Sequence, residues 1–219
     1  MSCKAILFDL DGTLLDTLED IGDAANRALI DNGFPPHPPD AYRYFVGDGI
    51  VKLMTRALPE GARDEGTIAV CLEALREAYR ANWNVKTRPY AGIPEMLDAV
   101  MERGLKMAVL SNKPQEFTKL CVDELLVQWR FAPVFGKRDG VPRKPDPAGA
   151  MEIVHQLGVE PAEFLYLGDT AIDMKTACAA GMFPVGACWG FRPAEELLEG
   201  GARVLVEHPM EIPRHLDSV

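Results

Sequence analysis

Serine, histidine and cysteine are all scarce in this chain of 219 residues. The only serines are Ser2, Ser111 and Ser218, and none stands in the GxSxG motif of a serine hydrolase. The five cysteines are odd in number, scattered and never in a CxxC pair, which favours the reduced thiols of a cytoplasmic protein over disulfides. The four histidines lack metal-ligand spacing, so a structural zinc site is not expected.

Positive charge is also in the minority. Lysine and arginine number 23 against 33 acidic residues, a formal charge of −10, which argues against a nucleic-acid-binding protein. A small anionic substrate is compatible with a locally positive site. The first apolar run is broken at Asp9, so no signal peptide is visible, and no uncharged stretch reaches the roughly 20 residues of a membrane span. We expect a cytoplasmic monomer or homodimer with no membrane partner.

Short apolar runs suited to buried parallel strands alternate with helical patterns in most of the chain. The runs are 5–8, 107–110, 132–135, 164–167 and 184–188, and the helical patterns are 92–104, 114–126 and 147–158. This alternation predicts an α/β fold with a doubly wound, Rossmann-like parallel sheet. It carries neither the GxGxxG of a dinucleotide-binding domain nor the GxxxxGK[ST] of a P-loop.

Residues 16–87 break the alternation, because they show one helical pattern after another. The patterns are 17–33, 48–58 and 64–83, with breakers between them that suit helix connections. We therefore predict an α/β core of residues 1–15 and 88–219, with an all-helical domain of residues 16–87 inserted after the first strand.

The first predicted strand ends in two acidic residues, Asp9 and Asp11, followed by Gly12. Side chains at i and i+2 of an extended segment share a face, and two carboxylates about 4 Å apart repel by about 4 kcal/mol at an effective dielectric of 20. A fold retains such a pair only with a cation, a shared proton or diverging side chains. The DxDG pattern alone is as typical of a strand end followed by a turn and a helix cap as it is of a functional site.

Three further strand ends carry polar groups. Ser111 and Asn112 follow one strand, Lys144 precedes a helix, and Asp169 ends another strand with Asp173 one helical turn beyond. Taken singly, each of these polar residues is better explained as a helix cap or as a solvated side chain without a function. Ligands of open α/β sheets bind at the carboxyl ends of the strands, so together these residues supply the groups that hold a phosphate and one Mg²⁺.

These segments resemble the four ordered motifs of the haloacid dehalogenase superfamily: DxDGT at 9–13, the serine at 111, the lysine at 144 and GDxxxD at 168–173. That superfamily places a helical cap where residues 16–87 stand. The resemblance implies that Asp9 attacks phosphorus to form an aspartyl-phosphate, while Asp11 handles the proton of the leaving alcohol and then of the water. The dehalogenase and phosphonatase branches lack an acid at the second position, so Asp11 favours phosphate esters.

The resemblance also implies the ligands of the site. Ser111, the backbone near Asn112, and Lys144 would bind or neutralise the phosphoryl group. A magnesium ion would be held by the side chains of Asp9 and Asp169 and by the main-chain carbonyl of Asp11. Asp173 would orient that shell of ligands.

Within the superfamily, VGDGI at 46–50, SNKP, KPDP and WGF at 189–191 resemble the phosphoglycolate phosphatases. Sugar-phosphate phosphatases, a pyrophosphatase and β-phosphoglucomutase share most of these marks and stay open as alternatives. Gly47 and Gly49 are expected to shape a loop over the active site. Lys52 or Arg56 is a candidate to meet a substrate carboxylate, although a solvated basic helix face is the favoured explanation of both. A scaffold without catalysis is disfavoured, because none of the motif acids is lost.

Overall fold

The apolar runs of the sequence form the strands of a six-stranded parallel sheet. The computed structural model describes residues 3–216. The strands in chain order are β1 (Ala5–Phe8), β2 (Leu15–Asp16), β3 (Arg88–Pro89), β4 (Lys106–Pro114), β5 (Phe131–Lys137), β6 (Phe164–Gly168), β7 (Phe183–Ala187) and β8 (Val204–Val206). Strands β2 and β3 make a separate two-stranded sheet. The predicted doubly wound α/β fold is confirmed.

The helices follow the predicted patterns and add several that the patterns did not indicate. They are α1 (Leu18–Asp31), α2 (Tyr42–Phe45), α3 (Ile50–Ala57), α4 (Glu65–Asn82), α5 (Ile93–Glu102), α6 (Gln115–Leu125), α7 (Ala148–Leu157), α8 (Ala171–Ala180), α9 (Ala194–Gly200) and α10 (Ile212–His215). Short 3₁₀ helices occupy Pro39–Ala41, Glu60–Ala62, Pro161–Glu163 and Pro209–Glu211.

The chain divides into two compact units. The first comprises the chain up to Leu15 and from Pro89 onward, and the second is Asp16–Arg88. In the second unit α1 packs against α4, and the buried carboxylate of Asp20 accepts hydrogen bonds from the backbone N–H groups of Lys86 and Thr87. That this helical unit serves as a cap stays a prediction.

The order of the six strands, β5-β4-β1-β6-β7-β8, positions the site. The chain winds outward from β1 through β4 and β5, and then returns to the other side of β1 for β6, β7 and β8. Ligands of such sheets bind at the carboxyl ends of the strands, where the winding direction reverses. The side chains of β1 and β6 are buried throughout, as expected for central parallel strands covered on both faces.

Candidate active site

Asp9 lies at the carboxyl end of β1, in the centre of the sheet. Its backbone N–H donates to the carbonyl of Leu167 at 2.9 Å, which continues the pairing with β6 by one residue. The side chain is 7% exposed, and its Oδ1 lies 2.8 Å from Nζ of Lys144. The structure therefore places the predicted nucleophile in an ion pair with the predicted lysine, although they are far apart in sequence.

Asp169 lies at the end of the neighbouring strand β6 and is completely buried. Its Oδ1 accepts a hydrogen bond from the Thr13 hydroxyl at 2.9 Å, and its Oδ2 accepts one from the Phe191 N–H at 2.8 Å. Gly12 has φ +85°, and a Cβ there would lie 2.3 Å from Oδ2 of Asp169. The absence of a Cβ at Gly12 therefore lets the segment after β1 pass close to this carboxylate, and Thr13 binds it.

Asp173 lies in the first turn of α8 and is also fully buried. Its Oδ2 accepts hydrogen bonds from the N–H and the hydroxyl of Thr170, at 3.1 and 2.6 Å, which caps the helix. Its Oδ1 lies 2.6 Å from Nζ of Lys144 and accepts a hydrogen bond from the Tyr166 hydroxyl at 3.3 Å. Both carboxylate oxygens are thus occupied in positioning Lys144 and the start of α8.

The three carboxylates of Asp9, Asp169 and Asp173, here called the acid cluster, each offer an oxygen within 4.8 Å of the others. Three carboxylates and the single ammonium of Lys144 leave a formal charge of −2 in a buried place. Burial first, and then the charge of Asp173, raise the pKa of Asp169 to about 7. Burial and Asp173 likewise raise the pKa of Asp9 well above its usual range, and Lys144 opposes this only in part. Hard oxygen donors and two uncompensated negative charges fit a Mg²⁺ ion.

Asn112 binds the backbone of Lys144. Its side-chain N–H donates to the Lys144 carbonyl at 3.2 Å, and its Oδ1 accepts from the Lys144 N–H at 3.0 Å. Neighbouring Ser111 is buried, with its Oγ accepting a hydrogen bond from the Lys113 N–H at 3.3 Å. The side chain of Asn112 thus holds the lysine loop in place, and phosphate binding by Ser111 and the backbone beside it stays a prediction.

The sequence analysis assigned no role to Lys113, which the structure places at the second aspartate. Its Nζ lies 2.8 Å from Oδ1 of Asp11, and the two side chains are only 4% and 11% exposed. Strand β4 continues to Pro114, so Ser111 and Lys113 lie two residues apart on an extended segment and share a face. Asp9 and Asp11 thus pair with different lysines, Lys144 and Lys113, and these ion pairs offset the repulsion between the two carboxylates.

The loop predicted to approach substrate belongs to the helical unit. Gly47 and Gly49 both have positive φ, +118° and +86°, and precede α3. Arg56 forms an ion pair with Asp48 and donates to the Phe45 carbonyl at 3.2 Å, so its guanidinium holds this loop. Lys52 is exposed and has no polar partner within residues 3–216. A contact of Lys52 or Arg56 with substrate stays a prediction.

Comparison with known proteins identifies the family of this chain. The model of the haloacid dehalogenase-like hydrolases matches residues 6–187. A phosphoglycolate phosphatase of Aquifex aeolicus is 35% identical over 86% of either chain. An N-acetylmuramic acid 6-phosphate phosphatase of Pseudomonas aeruginosa is 33% identical over 99% of this chain and 96% of its own.

A solved structure from Lactobacillus delbrueckii subsp. bulgaricus, assigned as a phosphoglycolate phosphatase, superposes with a TM-score of 0.92. The two sequences are 30% identical, and the superposition covers 100% of both chains. The chain therefore belongs to the haloacid dehalogenase-like hydrolases, and it is an enzyme of the phosphatase class. No helix within residues 3–216 is long and apolar enough to cross a membrane.

Proposed function

We propose that this chain is a Mg²⁺-dependent phosphomonoester hydrolase that acts through an aspartyl-phosphate intermediate. The observation that carries the proposal is the position of Asp9, at the end of the central strand and 2.8 Å from Lys144. Two more acids, Asp169 and Asp173, complete the acid cluster around it. A carboxylate nucleophile needs positive charge beside it, because a carboxylate and a phosphate dianion repel each other. Lys144 supplies one such charge, and a metal ion held by the acids would supply the rest.

The reaction has two steps. A carboxylate oxygen of Asp9 attacks phosphorus, the bond from phosphorus to the ester oxygen breaks, and Asp11 donates a proton to the leaving alcohol. A water molecule then attacks the phosphorus of the aspartyl-phosphate and gives a proton to Asp11, while the bond from phosphorus to the Asp9 oxygen breaks. Inorganic phosphate leaves and both aspartates return to their starting states.

The remaining residues hold the reacting groups. Lys144 neutralises charge beside Asp9, and Asp173 and Asn112 fix its ammonium and its backbone, respectively. A Mg²⁺ ion would be held by Asp9, by Asp169 and by the main-chain carbonyl of Asp11. When bound, it would neutralise the negative charge of the acid cluster and of the phosphoryl oxygens.

We infer 2-phosphoglycolate as the substrate, and the Aquifex relative supports this inference. A sugar phosphate is the second candidate. The observation that favours it is the extent of the match to the N-acetylmuramic acid 6-phosphate phosphatase, which spans 99% of this chain. A pyrophosphatase or a mutase is supported by no relative named above. The five free cysteines suit the reducing cytoplasm, which stays the predicted location.

The test is phosphate release from a panel of esters: 2-phosphoglycolate, sugar 6-phosphates and pyrophosphate. We expect turnover that EDTA abolishes and Mg²⁺ restores, with the highest kcat/KM for 2-phosphoglycolate. Preference for a sugar phosphate would retain the mechanism and change the substrate. Turnover that persists after complete removal of metal would contradict the proposed magnesium site.

A further inference from the structure

We propose that Lys113 determines specificity, by favouring phosphate esters that carry a second anionic group close to the ester oxygen. This inference rests on the function proposed above. It concerns the lysine of SNKP, which is assigned no role in the sequence analysis, and it assigns to that lysine the part of the substrate that leaves rather than the phosphoryl group.

The first step is the burial of Lys113. Its side chain is only 4% exposed, and its ammonium lies 2.8 Å from the carboxylate of Asp11. Burying an ammonium costs free energy unless an anion compensates it, and a buried ion pair is often no more stable than an apolar pair of the same volume. Stability alone therefore gives little reason to place a lysine here.

The second step is the position of Lys113 relative to the reaction. Asp11 is assigned the proton of the leaving oxygen, so its carboxylate must come within about 2.6–3.2 Å of that oxygen. The Lys113 ammonium then lies within about 6 Å of the leaving oxygen, when one carboxylate oxygen contacts both. A substituent one or two bonds beyond the ester carbon falls inside that distance.

The third step is the separation of the two buried lysines. Lys144 pairs with Asp9 and Asp173 of the acid cluster, whereas Lys113 pairs with Asp11. Positive charge is thus placed beside each of the two aspartates that are assigned to the reaction. An ammonium has three N–H donors, so Lys113 can bind Asp11 and a substrate anion together.

The class of substrate follows from this geometry. In 2-phosphoglycolate the carboxylate is bonded directly to the ester carbon, where the ammonium of Lys113 can reach it. A sugar 6-phosphate offers neutral hydroxyls near its ester oxygen and gains no charge-assisted hydrogen bond there. Lys113 should therefore discriminate between the two substrate classes considered above.

The experiment compares 2-phosphoglycolate with 2-hydroxyethyl phosphate, which replaces the carboxylate by a neutral hydroxymethyl group. The measured quantity is the ratio of kcat/KM for the two esters, in wild type, Lys113→Met, Lys113→Arg and the control Lys119→Met. Lys119 lies on α6 with 64% of its side chain exposed and pairs with Asp123. Because each ratio is internal to one protein, a general loss of activity through Asp11 cancels.

We expect the wild-type ratio to favour 2-phosphoglycolate and to fall by about tenfold or more in Lys113→Met, since a hydrogen bond to a charged group is lost. Lys113→Arg should keep part of the ratio, and Lys119→Met all of it. If turnover of Lys113→Met is too slow to measure, the ratio of dissociation constants is taken by calorimetry in an Asp9→Asn background.

Two results would overturn the inference. An unchanged ratio in both Lys113 variants, with equally reduced rates for both esters, would limit Lys113 to positioning Asp11. The inference would also be overturned if the wild-type enzyme hydrolysed 2-phosphoglycolate and 2-hydroxyethyl phosphate with equal kcat/KM. Failure of wild type to hydrolyse any ester is a different outcome, because it would refute the proposed function itself.

Discussion

Two regions of the molecule carry residues predicted to act on substrate. One is the edge of the sheet formed by the carboxyl ends of β1, β4 and β6, and the other is the Gly47–Gly49 loop of the helical unit. The side chains of these two regions are held in different ways. At the strand ends, the charged side chains are at most 11% exposed, and both lysines are ion-paired: Lys144 with Asp9 and Asp173, and Lys113 with Asp11. In the loop, Arg56 and Asp48 are each about one-third exposed, and Lys52 is exposed. One region is rigidly organised and the other is held by contacts close to solvent.

The two regions differ in the accuracy that their predicted roles require. Reacting groups must be held within a fraction of an ångström, and buried ion pairs on neighbouring strands do this at a cost in stability. A loop that approaches a substrate needs less accuracy, and glycines with positive φ shape it without crowding. Substitutions at the strand ends should therefore mainly reduce activity, whereas substitutions in the loop should mainly change stability or affinity.

The largest effect is expected from Asp9→Asn. An amide is a poor nucleophile, so phosphate release should fall by about 10⁴-fold or more. The protein should fold, because the substitution keeps the shape of the side chain and reduces the repulsion within the acid cluster. Steady-state kinetics and circular dichroism before and after heating would measure both. Activity close to that of wild type would refute Asp9 as the nucleophile.

The next largest effect is expected from Asn112→Ala, which removes both hydrogen bonds to the backbone of Lys144. Two buried partners would lose their acceptor or donor, so we expect kcat to fall by about ten- to a hundredfold. Asn32→Ala is the matched control, since its amide donates to the Ala28 carbonyl in the helical unit. A reduced unfolding temperature with unchanged kcat would show that Asn112 stabilises the fold without positioning Lys144.

The third prediction concerns pH. The pKa of Asp169 is raised from 3.8 to about 7 by burial and Asp173, so below pH 7 the metal-free folded state binds a proton that the unfolded state releases. This contribution to stability is present at low pH and is lost as the pH rises through about 7. Mg²⁺ offsets that loss, and at pH 6 it must first displace the proton.

The rise in unfolding temperature caused by saturating Mg²⁺ should therefore be larger at pH 8 than at pH 6, measured by differential scanning fluorimetry. Asp169→Asn should show little rise at either pH, whereas Asp123→Asn, on the exposed surface of α6, should behave as wild type. An equal rise at both pH values in wild type would contradict the raised pKa of Asp169.

The sequence predicted five of the six strands of the main sheet, because each is an apolar run bounded by polar residues or a helix. Strand β8 was missed, since the three residues Val204–Val206 are too few for a periodic pattern. Two short helices, the 3₁₀ helix Pro39–Ala41 and α2, were also not predicted. They lie in or next to the proline-rich stretch that the sequence analysis interprets as a connection between two longer helices.

The site was predictable to the extent that its residues stand at strand ends. Lys113 was missed because the apolar run of β4 ends at Leu110, while the strand continues to Pro114 by pairing with Lys137 of β5. The contact of Asn112 with Lys144 joins segments distant in sequence, and only tertiary structure brings them together. Local patterns indicate which residues reach the edge of the sheet, but not which of them meet there.

The smallest effect is expected in the helical unit, from Arg56→Lys. Lysine keeps the charge but not the fork of donors that contacts Asp48 and the carbonyls of Tyr44 and Phe45. We expect a loss of about 1 kcal/mol in the free energy of unfolding, or about 2–4 °C in unfolding temperature. Arg76→Lys is the control, since Arg76 makes a single exposed ion pair with Glu73 and should cost less than about 0.5 kcal/mol. If both variants unfold at the wild-type temperature, the loop does not depend on Arg56, and the contrast with the strand ends would rest on burial alone.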